Sequence, residues 1–131
     1  MHVLIIDDNE EFRSSTQDLL LAAGYSVTVV GDGEAGVLAF QQGNYDLVIC
    51  DLFMPRKDGL ETVAELRQYC AKTPIISTTG YVDTLFGADK EINLSYLKAA
   101  CEFGATHTLT KPFDPDFFLA LVRNCLGIAA G

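Results

Sequence analysis

Five short runs of β-branched and apolar residues, each followed by a stretch with helical period, constrain this 131-residue chain more than anything else in it. The runs are Val3–Ile6, Tyr25–Val30, Asp46–Leu52, Pro74–Thr79 and Ala105–Leu109. Helices are expected over Glu10–Ala23, Glu34–Gln42, Gly59–Ala71 and Asp89–Phe103, with a last one opened by Asp114-Pro115 as cap and first-turn proline. Asp58 is read as the cap of the third helix, and Gly24 and Gly104 as helix stops. Inward faces are assigned to Phe12, Leu19, Leu20 and Ala23; to Leu60, Val63, Ala64 and Leu66; to Ile92, Tyr96, Ala99, Ala100 and Phe103; and to Phe117, Phe118, Leu121, Val122 and Cys125. Strands alternating with helices imply a parallel sheet covered on both faces. Right-handed crossovers then fit five units to a doubly wound α/β fold of strand order 2-1-3-4-5. A dinucleotide-binding half-unit would want GxGxxG after the first strand, where this chain has Asp7-Asp8-Asn9.

The third run, Asp46-Leu47-Val48-Ile49-Cys50-Asp51-Leu52, reads as a buried central strand that ends in a carboxylate. An Asp there is costly without a partner. In an open parallel sheet of this order, ligands bind beyond the carboxyl ends of the strands, between the first and third. Asp7 and Asp8 close the first strand, Asp51 the third and Thr79 the fourth, and Lys111 follows the fifth. Three carboxylates, a hydroxyl and an ammonium therefore converge from four places in the chain. Singly, Asp8 or Asn9 reads as a helix cap and Lys111-Pro112 as a loop; the joint placement at one end of the sheet is the signal. Carboxylates in one crevice repel and call for a hard cation, and an all-oxygen set suits Mg2+. With a carboxylate nucleophile, a lysine and a hydroxyl donor, these are the parts for phosphoryl transfer.

Composition narrows the partners. A net charge of −9 argues against nonspecific nucleic-acid binding and suits a cation or a basic protein surface. The four cysteines, Cys50, Cys70, Cys101 and Cys125, form no CxxC pair, so structural zinc is not expected and small buried, inert thiols are. Neither a signal peptide nor a run long enough to span a membrane is visible, and a reducing, cytoplasmic setting is expected.

The segments VLIIDDN (3–9), DLVICDL (46–52), MPRKDG (54–59), PIISTTG (74–80) and LTKPF (109–113) lie in the order found in the receiver domains of two-component response regulators. The chain resembles that family over essentially its whole length. The resemblance implies a flavodoxin-like (βα)5 receiver domain over residues 1–127, with 128–131 as a short flexible tail. It makes Asp51 the phosphoacceptor and Asp8, Asp51 and the backbone carbonyl of Phe53 direct Mg2+ ligands. Asp7 would hold the metal through water, Thr79 would bond the phosphoryl group and Lys111 would pair with it. It also implies a cis Lys111-Pro112 bond. The phosphodonor would be a histidine kinase or a histidine phosphotransfer protein, and a downstream protein the target. The domain would act as a monomer or weak dimer, without membrane or direct nucleic-acid contact. It would be a signalling switch rather than an enzyme with a diffusible product.

Three features depart from the pattern. Thr108 stands where the family often has an aromatic residue on the fifth strand, so no aromatic rotamer change is expected in the output. The interval from Thr79 to Lys111 is longer than usual, and Tyr81, Leu85 and Phe86 are assigned to a lid or partner surface within it. Phe53 and Tyr81 each follow a site residue by two positions and are expected to restrict water and prolong a phosphoaspartate. Two other readings stay open at this point: a Mg2+-dependent phosphatase with Asp51 as transient nucleophile, and a receiver-like interaction module that never meets phosphate. Against the first, a second acid is wanted two residues after the nucleophile, where the chain has Phe53. Against the second, the whole set from Asp7 to Lys111 is present.

Overall fold

The computed structural model describes residues 1–54, 57–80 and 90–127. Strands β1 (His2–Ile6), β2 (Ser26–Val30), β3 (Leu47–Asp51), β4 (Ile75–Thr79) and β5 (His107–Thr110) form one parallel sheet of order β2-β1-β3-β4-β5. Helices α1 (Glu10–Ala22), α2 (Gly33–Gln42), α3 (Gly59–Tyr69), α4 (Lys90–Phe103) and α5 (Pro115–Cys125) fill the connections. The expected class and strand order are both present.

Alternation along the strands splits the core into two layers. Val3, Ile5, Leu47, Ile49, Ile76 and Leu109 pack with Leu20 of α1 and with Phe118 and Val122 of α5. Leu4, Ile6, Val48, Cys50 and Ile75 pack with Val37 of α2, Val63 and Leu66 of α3 and Ala100 of α4. Strands β3 and β4 are buried along their full length, as expected for a sheet covered on both sides. Among the described residues, no helix is long and apolar enough to cross a membrane.

Side-chain caps start four helices. Asn9, Asp32, Asp58 and Asp114 each accept from the backbone N–H three residues on, at 2.9, 2.8, 2.8 and 3.3 Å. Arg67 closes the far end of the molecule, donating to the carbonyls of Gly104, Cys70 and Thr73 and to the Thr106 hydroxyl. Gly104 has φ +124° and meets that side chain so closely that a Cβ would lie 2.5 Å from Arg67 Cγ.

Several inward assignments are corrected. Ala23 is exposed because α1 ends at Ala22, and Thr16 is buried in its stead. Phe117 is 58% exposed: the inward stripe of α5 runs through Phe118 and Val122, and one residue step back rotates Phe117 off it. Phe103 is 49% exposed, in the last turn of a helix that covers the edge strand β5. Helix α3 stops at Tyr69, two residues short of the expected end, with Cys70 as its cap. Cys50 is buried, but Cys101 is exposed and Cys70 and Cys125 are intermediate; all four are free thiols. The side chains of Ile92 and Tyr96, the segment carrying Tyr81, Leu85 and Phe86, and the expected tail at 128–131 lie outside the described residues.

Candidate functional site

The carboxyl ends of β1 and β3 bring the expected acidic residues together. One carboxylate oxygen from each of Asp7, Asp8 and Asp51 lies within 4.8 Å of the others. Asp7 and Asp51 are buried while Asp8 is exposed at the mouth. The cap explains this division. Asn9 takes over the start of α1 and donates its own N–H to Asp7 Oδ1 at 2.9 Å, which leaves Asp8 free of capping duty.

Lys111 reaches in from beyond β5. Its backbone N–H is held by the Thr79 carbonyl at 2.7 Å, and the Lys111-Pro112 peptide is cis, as expected. The ammonium hydrogen-bonds Asp7 Oδ2 at 2.7 Å and lies 3.8 Å from Asp51 Oδ1. Thr79 is the last residue of β4, and its fully buried hydroxyl has no hydrogen-bond partner. Asp51 Oδ1 is likewise buried without one. The hydroxyls of Ser77 and Thr78 on the same strand are buried without partners too; what sets Asp51 and Thr79 apart is that they close β3 and β4 at the end of the sheet where Asp7, Asp8 and Lys111 meet.

Burial pushes the Asp51 carboxyl up to about 7; the Lys111 ammonium opposes the rise, Asp7 and Asp8 add to it, and a backbone hydrogen bond from Phe53 lowers it. Beneath it, burial and then Asp51, Asp7 and Asp58 raise the Cys50 thiol far above its usual range. That thiol is buried, as expected, and its environment disfavours the thiolate. Gly59, the first residue of α3, packs directly on the strand end. Its N–H bonds the Leu52 carbonyl at 3.0 Å, and a Cβ there would lie 2.1 Å from the Asp51 carbonyl oxygen. Only glycine permits this approach.

Phe53 is half-buried beside the site, two residues past Asp51. Thr108 is half-buried on β5 and pairs in register with Ser77 of β4. Sequence reading missed the surroundings of Lys111. Its Nζ sits 3.8 Å above the centre of the Phe12 ring. Arg13 donates to the Asp7 carbonyl at 3.0 Å. An apolar cleft of about 380 Å³, walled by Phe12, Thr16, Pro112 and Phe113, opens beside the ammonium. The sequence carried one partial signal: Phe12 lies in the first turn of the helix that follows Asp7 and Asp8, and so near the same strand end.

The sequence pattern of the response regulator receiver domain family matches residues 3–123. The transcriptional regulatory protein DltR of Streptococcus agalactiae is 34% identical over 123 residues, which are 94% of this chain and 50% of DltR. The transcriptional regulatory protein CpxR of Klebsiella pneumoniae is 36% identical over 124 residues, 95% of this chain and 48% of CpxR. The chain thus spans about half the length of the curated relatives it matches. Among solved structures, the chemotaxis protein CheY4 of Vibrio cholerae superposes with a TM-score of 0.80 at 28% identity, covering 95% of this chain and 98% of CheY4. The receiver domain of a Francisella response regulator, 1452, superposes with a TM-score of 0.78 at 27% identity, covering 96% of each chain.

Proposed function

This chain belongs to the response regulator receiver domain family, and we propose that it accepts a phosphoryl group on Asp51 and so switches a surface read by a downstream protein. The donor is a phosphohistidine on a histidine kinase or a histidine phosphotransfer protein. The observation that carries this reading is the Asp51 carboxylate itself: buried, one oxygen without a partner, with an ammonium 3.8 Å away.

The residues fit Mg2+. The donor set is all oxygen, the cluster is too acidic for one ammonium to neutralise, and an unsatisfied carboxylate oxygen lies in it. Asp8, Asp51 and the Phe53 backbone carbonyl would bind the ion and Asp7 would hold it through water. The ion supplies positive charge against the phosphoryl oxygens. Asp51 attacks phosphorus in line, the P–N bond breaks, and the imidazole leaves with the electron pair and takes a proton. Lys111 and the Thr79 hydroxyl hold the transferred group, the first by charge and the second by a hydrogen bond. The protein catalyses its own modification and has no diffusible metabolic product.

The test is incubation with a small acyl phosphate and Mg2+, read by intact mass. A phosphoryl adduct that is absent in Asp51→Ala supports the reading. Multiple turnovers on phosphomonoesters would instead make the chain a phosphatase, and no adduct with any donor would make it a phosphate-independent module.

A further inference from the structure

The geometry points to Phe12 as a positioning residue for Lys111, an inference that rests on the function proposed above. Among the described residues, the Lys111 ammonium is hydrogen-bonded to Asp7, lies in ion-pair range of Asp51, and has the face of the Phe12 ring 3.8 Å below it. Asp51 Oδ1, at 3.8 Å, is beyond hydrogen-bond reach. The ring is itself braced. It meets Phe113 edge to face at 5.8 Å and 89°, and Phe113 stacks at 4.9 Å on the fully buried Phe118 of α5. A series Lys111–Phe12–Phe113–Phe118 therefore runs from the site into the core.

The chemistry of the ring suits this place. A lysine stem is flexible, and an ammonium at work on a phosphoryl group gains from being held where it is needed. Another carboxylate would hold it as firmly, but would add negative charge to a site that already collects three and must admit a phosphoryl group. A ring attracts a cation through its quadrupole and adds no net charge. It also leaves the N–H donors of the ammonium to the oxygens. An aliphatic residue would fill the space without the attraction.

The test compares Phe12→Leu and Phe12→Tyr with the parent chain. Beryllofluoride plus Mg2+ serves as the phosphoryl mimic. Phe12→Leu is expected to bind it about three- to tenfold more weakly, and Phe12→Tyr, which keeps the ring face, within about twofold of the parent. A second readout needs neither metal nor phosphate: the Lys111 Hε protons are expected upfield in the parent and in Phe12→Tyr, and to return to ordinary positions in Phe12→Leu. Equal affinity in Phe12→Leu and the parent, or an equal loss in both variants, overturns the inference, as does an Hε shift that ignores the ring. Failure of the parent chain itself to bind the mimic counts against the proposed function instead, and the proton shifts then decide the placement of Lys111 alone.

Discussion

Replacing Asp51 by Asn should stabilise the metal-free protein. The carboxyl is 5% exposed and its folded-state pKa is raised from 3.8 to about 7, chiefly by burial. Folding therefore favours its protonated form. Above pH 7 the ionised group costs the folded state about 4 kcal/mol, at about 1.36 kcal/mol for each tenfold change in proton affinity. That cost shrinks as pH falls from 7 and vanishes below about pH 4, where Asp51 is protonated in both states. Asn matches the shape. Its carbonyl oxygen can accept the Phe53 N–H, its neutral amide replaces a third negative charge in the cluster with Asp7 and Asp8, and Lys111 keeps its bond to Asp7. With relaxation, a gain of about 2–4 kcal/mol is expected at pH 8, and roughly 1 at pH 5. Urea unfolding of both proteins in EDTA at the two pH values measures it. Mg2+ should then stabilise the parent chain more than the variant, closing the gap. An Asn variant no more stable than the parent at pH 8 in EDTA, or a gap that does not change with pH, would refute the argument.

Other outcomes follow from the same site. Lys111→Met should cost about 3 kcal/mol of metal-free stability by stranding the buried Asp7, measured by the same unfolding, with Asp51→Asn in that background recovering part of it. Gly59→Ala forces a methyl against the Asp51 and Leu52 backbone and should lose about 1–3 kcal/mol together with much of the phosphorylation rate, read by denaturation and adduct formation. Phe53→Asn should shorten the phosphoaspartate lifetime severalfold by admitting water, followed as loss of adduct after the donor is removed. Cys70, whose pKa is lowered by hydrogen bonds from the Thr73 hydroxyl and the Lys72 and Thr73 N–H groups, should alkylate readily at neutral pH and more slowly in Thr73→Val; Cys50 should react only on unfolding, with peptide mapping as the check.

Much of the fold was legible because the strands are short and β-branched, and the central ones, β3 and β4, are buried along their full length, so their sequences carry little besides burial. The carboxyl-end rule then turned strand ends into a site: Asp51 closes β3, Thr79 closes β4 and Lys111 follows β5, as read. Caps at Asp58 and Asp114 were readable for the same local reason. What failed was long-range. Periodicity set Phe117 and Phe103 inward, but which side of a helix is covered depends on its rotation over the sheet and on where the sheet ends. Phe12 read as a core residue; its place in the first turn of α1 set it near the strand end, but nothing local could say that Lys111, so distant in sequence, would set its ammonium on the ring.

The bond between Lys111 and Asp7 joins residues 104 apart. During synthesis the three carboxylates are made well before their counter-charge. A nascent chain that has completed β1 and β3 carries the acidic cluster without the ammonium, and the edge strand that delivers Lys111 must dock before the cluster is neutralised. Contacts of such long sequence separation form late and slow the search for the native state. Chains that end before the fifth strand thus lack both the cover of β4 and the charge that offsets Asp7, so truncation there removes folding competence and chemical competence together.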